Sequence, residues 1–182
     1  MRWKAPKTLT HAIALAAILT LALPWAALAD NVVTDGDGDL PVSNSPLNLG
    51  TICVGVSTSA TALIAISRNG NYGTSNVFQN GAVVTISAES SSSDLSATGG
   101  TIKLPDNWDT ISNNVLSESV ASTVTLTPSA TGAFNGTITY TAEGPGFGPG
   151  NNNPIPNMTR TGTLTVTATV QDCAPADTIP PT

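Results

Sequence analysis

Residues 47–71 read LNLGTICVGVSTSATALIAISRNGN, and the reading of this stretch decides the fold. Ile52, Val54 and Val56 alternate with Cys53 and Gly55. After the polar turn Ser57-Thr58-Ser59, Ala62, Ile64 and Ile66 alternate with Thr61 and Ala65. Apolar, mostly β-branched side chains at a period of two mark a half-buried strand. The stretch therefore predicts two strands joined by a tight turn.

Working outward, the same alternation predicts strands near 49–56, 61–67, 82–89, 101–104, 122–127, 137–143 and 161–170, with Val77-Phe78 as a brief pairing element. In the last of these, Leu164, Val166, Ala168 and Val170 alternate with threonines. No segment after residue 29 keeps a helical period through three turns. Seven short strands separated by turn signals indicate a two-sheet Greek-key sandwich. A polar residue at every second position argues for antiparallel sheets, each wetted on its outer side. The core is then expected at Ile64, Ile66, Val84, Val124, Leu126, Ile138, Leu164 and Val166, with Tyr140 among them.

The first 29 residues read as a secretory signal peptide. Arg2, Lys4 and Lys7 precede an unbroken run of Ala, Ile, Leu and one Thr over 12–23; Pro24 ends it, and Ala27-Leu28-Ala29 supplies small residues for cleavage. The run is too short to span a bilayer, which takes about 20 residues, so no membrane insertion is expected once the signal is cut. Residues 30–45 read as a flexible acidic lead-in, 46–173 as one sandwich domain, and 174–182 as a Pro/Thr-rich tail or interdomain linker. Cleavage also changes the charge. All 12 acidic residues follow Ala29, against three basic ones, Arg68, Lys103 and Arg160, so 3 − 12 gives the mature chain a formal net charge of −9. Such a surface repels a phosphate backbone and argues against nucleic acid as a partner.

Two cysteines in an exported chain are expected to pair. In a seven-stranded Greek-key sandwich the first and last strands can run parallel and adjacent. That would bring Cys53, near the end of 49–56, to Cys173, just past 161–170. Both are out of phase with the apolar residues of their strands, which places the bond on the rim or outer face.

The opening hairpin resembles the start of bacterial extracellular Ig-like domains, including the abnormal-spindle/Hydin-like group. The resemblance is carried by Gly50, Val54-Gly55, Ser57-Thr58-Ser59, residues 63–66 and Asn69-Gly70, about 25 residues in all. The tail Asp177-Thr178-Ile179-Pro180-Pro181-Thr182 is similar to linkers between repeated domains of surface proteins. The resemblance implies an all-β, seven-stranded antiparallel Ig-like module, secreted or at the cell surface, with a structural or adhesive role and no catalytic residues. Further modules of a longer surface protein would be its neighbours, and an extracellular protein or glycan its partner. The antibody pattern of Cys, Trp and Cys is absent.

The residues offer little chemistry. The only histidine, His11, leaves with the signal, which removes Ser/His/Asp and Cys/His catalysis from the mature chain. Nothing in the sequence supports a Ser–Lys dyad at Lys103. Glu89, Asp94, Asp106, Asp109, Glu118 and Glu143 are the carboxylates available for glycoside hydrolysis, and none lies in a motif. Asp35, Asp37 and Asp39 have the spacing of the first three ligands of a calcium loop, but position 6 falls on Leu40 and position 12 on Pro46, where glycine and a bidentate acid are required. A solvated acidic linker is the simpler reading, and no cofactor is expected. Asn135-Gly136-Thr137 and Asn157-Met158-Thr159 fit the glycosylation sequon, which carries no meaning in a chain of bacterial composition.

Alternate connections of an antiparallel sandwich emerge at the same end. Loops 68–76, 105–119 and 144–157 should therefore cluster, opposite the 57–59 turn, the serine-rich 90–100 loop and the disulfide. They carry Tyr72, Trp108 and Phe147, the candidate binding residues. Trp108 has two readings, a plug closing the end of the core or a sugar-stacking face. The second belongs to the rival class, a carbohydrate-binding module with exposed loop aromatics.

Overall fold

The structure, a computed structural model, describes residues 30–35, 46–69, 77–108, 115–148 and 153–173. Among them lie nine strands: β1 Asp30–Asp35, β2 Leu47–Cys53, β3 Thr58–Asn69, β4 Val83–Ser90, β5 Leu95–Ala97, β6 Gly100–Lys103, β7 Val115–Leu126, β8 Gly132–Phe147 and β9 Pro154–Gln171. They form a four-stranded sheet, β1-β3-β7-β5, and a five-stranded sheet, β2-β9-β8-β4-β6. The fold is all-β. The expected signal segment 1–29, Asp37, Asp39, Tyr72, Asp109 and the 174–182 tail lie outside the described residues.

Both sheets turn their apolar phase onto one core. From the four-stranded sheet come Ala62, Ile64, Ile66, Val124 and Leu126; from the other come Val84, Ile138, Tyr140, Leu164 and Val166, all buried. All eight core positions expected from alternation, and Tyr140, are inside. At roughly 25 cal/mol per Å² of apolar surface removed from water, this shared core is the main stabilising term.

Four local features differ from the sequence reading. Val54 and Val56 are exposed at 36% and 53% rather than inward. β2 stops at Cys53, and the chain turns through Gly55, which has a φ of +72°, to reach the opposite sheet. Valines on a turn have no facing sheet to pack against, whatever their spacing. The first part of the expected lead-in, Asp30–Asp35, is a strand parallel to β3, from Asp30↔Leu63 to Asp35↔Arg68. The serine-rich loop contains β5, which pairs with the end of β7. Finally, β7 begins at Val115, well inside the expected 105–119 loop, and β8 and β9 run well past their predicted ends, pairing antiparallel from Gly132↔Val170 to Phe147↔Pro154.

β2 runs parallel to β9, with Cys53 opposite Gln171. The Cα atoms of Cys53 and Cys173 are 5.4 Å apart, with their sulfurs at disulfide distance. Cys53 is half-buried and Cys173 exposed, so the pair sits on the rim, away from the core. The same end gathers the β2–β3 turn, Asp94 and residues 127–129. Val54 N–H donates to Gln171 O (3.0 Å), Gly55 N–H to Pro128 O (2.8 Å) and Thr127 N–H to Asp94 O (2.8 Å).

Candidate functional site

The opposite end is where the connections expected to carry recognition leave the sheets. Val77–Gln79, leading toward β4, add themselves to the end of β8. Phe147 N–H donates to Val77 O (2.8 Å), Gln79 N–H to Pro145 O (3.0 Å) and the Gln79 side-chain amide to Gly146 O (3.2 Å). Phe78 faces Gly146 across an isolated antiparallel bridge. The approach needs glycine. A Cβ on Gly146 would stand 2.6 Å from Met158 Sδ and 3.0 Å from Val77 O. Gly144 and Gly146, which read as a flexible loop in sequence, are thus strand residues selected for close backbone contact.

A third connection joins them. Leu104 N–H donates to Ala82 O (2.8 Å), Gly81 N–H to Pro105 O (3.0 Å) and Trp108 N–H to Pro105 O (3.1 Å). An Arg68 Nη donates to the carbonyl of Trp108. Arg68 is 1% exposed and Trp108 and Phe78 are fully buried. A guanidinium taken out of water is costly unless hydrogen-bonded; here it ties the end of β3 to the connection after β6. Segments adjoining the three predicted loops therefore meet at one end of the molecule.

The candidate residues divide. Trp108 is a core plug, and the sugar-stacking reading of it is corrected: a ring with no exposure has no face to offer a ligand. Phe147 is half-buried and is the last residue of β8, not a free loop tip. Tyr72 is outside the described residues. Sequence reasoning missed one member of this end, Arg68, and marked another, Phe78, only as part of a brief pairing element, which the bridge to Gly146 bears out. Arg68 continues the inward phase of Ile64 and Ile66, a signal overridden by its charge. Phe78 lies inside, although only two residues of pattern, Val77-Phe78, marked it.

The carboxylates are spread over the molecule. Asp94 accepts from Ser129 N–H (3.0 Å) and Ser129 Oγ (2.8 Å), fixing a turn at the disulfide end. Asp106 lies against Gly81 at the other end. Glu89 and Glu143 share the outer face of the five-stranded sheet, but Glu89 pairs with Thr139, four residues along β8 from Glu143. That is about 13 Å along the strand, beyond the roughly 5–9.5 Å that glycoside hydrolysis requires. Glu118 is on the other sheet. Of the calcium triplet, Asp35 ends a strand, and its partners are outside the described residues. Among the described residues no three His, Cys, Asp or Glu side chains gather in a metal-binding group.

One polar network lies inside the core. Ser122 Oγ is 2.7 Å from Thr98 O and 2.8 Å from Tyr140 Oη. A carbonyl only accepts, so the single Ser122 proton goes to Thr98 and Tyr140 donates to Ser122. Burial pushes the Tyr140 phenol above its ordinary value. Ser122 works against that shift to a smaller degree, since turning its proton toward a phenolate would break its bond to Thr98.

The chain matches no protein-family model and no curated protein.

Proposed function

We propose that the chain is an exported Ig-like β-sandwich module with a structural or adhesive role and no catalytic activity. The observation that carries this reading is the end of the molecule at which 77–82, 104–108 and 144–147 are tied together by main-chain hydrogen bonds. Connections held on a rigid two-sheet frame are the usual place for recognition. The strand orders support the Ig-like assignment. β3-β7-β5 stands where an Ig sandwich has strands B, E and D, and β9-β8-β4 where it has G, F and C. The arrangement departs from that plan in two respects: β5 precedes β6 in the chain, and β1 is parallel to β3. The cysteine pair supports an oxidising compartment, as expected after export, and the predicted signal peptide supports secretion or display at the cell surface.

On this reading the partner is an extracellular protein or glycan, met by Phe147 and Tyr72 with the Asn-rich loops around them. The test is binding of the mature protein to arrays of matrix proteins and glycans. Tyr72→Ala with Phe147→Ala, in a chain that still folds, should abolish whatever binding is found. Trp108 is left intact because its replacement would open the core. Retained binding removes the loop end as the site, and silence on both arrays removes the adhesive role.

A further inference from the structure

We propose that β1 is an exchangeable strand, and that its place beside β3 accepts β1 of a second copy of this chain. The inference rests on removal of residues 1–29, which leaves Asp30 as the first residue, and not on any ligand at the loop end. β1 is an edge strand paired with β3 alone, through the six residues from Asp30↔Leu63 to Asp35↔Arg68. It lies against β9 of the opposite sheet. β2 shares this flank but pairs only with residues 166–171 of β9. β1 and β2 therefore divide the flank between them. Residues 63–68 of β3 also pair with β7; without β1, the alternate residues whose N–H and C=O groups point away from β7 would be unpaired, next to Ile64 and Ile66, which are fully buried. An edge of this kind templates another strand.

The connection to β2 makes exchange feasible. Residues 36–46 separate the two strands, and eleven residues reach about 36 Å when extended. The span to be covered is shorter. Arg68, opposite Asp35, is ten residues along β3 from Thr58, about 33 Å, whereas Leu47 is six residues from Cys53, about 20 Å. The β2–β3 turn joins Cys53 to Thr58, so Asp35 and Leu47 are offset by about 13 Å along the strands and about 10 Å between the sheets. That makes a gap of about 16 Å, well within the reach of the connection. β1 can thus leave its own place and enter a neighbour's while β2 and the cysteine pair stay as they are. The bonds given up within one copy are regained in the other, so concentration and tether length set the balance. A long tether favours the chain's own slot in dilute solution; a short one favours a second copy.

The experiment uses the mature chain, 30–182, with its cysteines oxidised. Deleting residues 36–44 leaves two tether residues, about 7 Å of reach, too little for the chain's own slot. The variant should run as a dimer or higher oligomer by light scattering, with the amides of 63–68 protected from hydrogen exchange. A monomer, or an oligomer whose 63–68 amides exchange freely, overturns the proposal. A second arm avoids dependence on the deletion. A biotinylated synthetic peptide of residues 30–40 should be captured by the intact concentrated mature chain, and the same peptide carrying Val33→Pro should not. Equal capture of both peptides, or of neither, also overturns it. Sequencing the N-terminus of the secreted protein separates these results from a failure of export: a first residue other than Asp30 contradicts the cleavage reading instead.

Discussion

The Thr98–Ser122–Tyr140 network makes an asymmetric prediction. Tyr140→Phe removes the phenol that donates to Ser122 but leaves Ser122 donating to Thr98 O at 2.7 Å. One neutral hydrogen bond is lost and no buried group is stranded, so the cost is about 0.5–1.5 kcal/mol. Ser122→Ala deletes the hydroxyl of a residue that is 1% exposed and strands the phenol of Tyr140, itself fully buried. A buried donor without a partner costs about 1–3 kcal/mol, so the serine change is the worse of the two although fewer atoms are lost. In the Ser122→Ala background, Tyr140→Phe removes the stranded group and should be neutral or stabilising. The double variant is therefore no less stable than Ser122→Ala alone, and the cycle departs from additivity by about 1 kcal/mol. Urea unfolding under non-reducing conditions measures all four proteins, followed by fluorescence of Trp108, the sole and fully buried tryptophan of the mature chain. Additive costs, or a Tyr140→Phe cost equal to or above that of Ser122→Ala, refute the donor assignment.

The same phenol gives an alkaline signature. Its folded value is raised by burial, so the unfolded chain releases this proton first; the contribution is intact below about pH 10 and is lost as pH climbs from there toward the folded value. Wild type should lose stability over that window faster than Tyr140→Phe, and parallel slopes would contradict it. Non-reducing mass analysis of the mature protein should show two protons fewer than the dithiol, whereas two thiols that alkylate without reduction would remove the bond. Cys53→Ala opens a crosslink spanning a sequence separation of 120 and should cost about 4–5 kcal/mol in the chain-entropy model. Leu126→Ala, in the core and fully buried, should cost about 2–5 kcal/mol in urea titrations. Thr165→Ala, on the outer face of β9, should cost under about 1 kcal/mol; equal costs at Leu126 and Thr165 would mean the strand phase is wrong.

The strand period was legible from the order of residues alone. A side chain on a strand faces one side or the other, and an apolar residue at every second position needs a core on one side only. That is why Ile64, Val124, Ile138 and Leu164 could be placed inside before any coordinates. The order of residues also pointed to the cysteine pair, because the two cysteines share a phase near the ends of the first and last predicted strands, which a Greek-key sandwich can bring side by side; the parallel pairing of β2 with β9 came from the fold. Alternation is a local quantity, however, and says nothing of where a ladder stops. Val54 and Val56 keep the period but sit on a turn, while Gly144 and Gly146 have no side chain to show one and yet lie within β8. Tertiary contacts set these limits, since what ends or extends a strand is the backbone it meets: Pro128 beyond Cys53, and Val77 beside Gly146. The same holds for Arg68 and Trp108. Arg68 read as a loop cation, and Trp108 kept two readings, plug or sugar-stacking face, until the fold laid the guanidinium on the carbonyl of Trp108, where a hydrogen bond offsets the loss of water and the burial of the ring closes the end of the core.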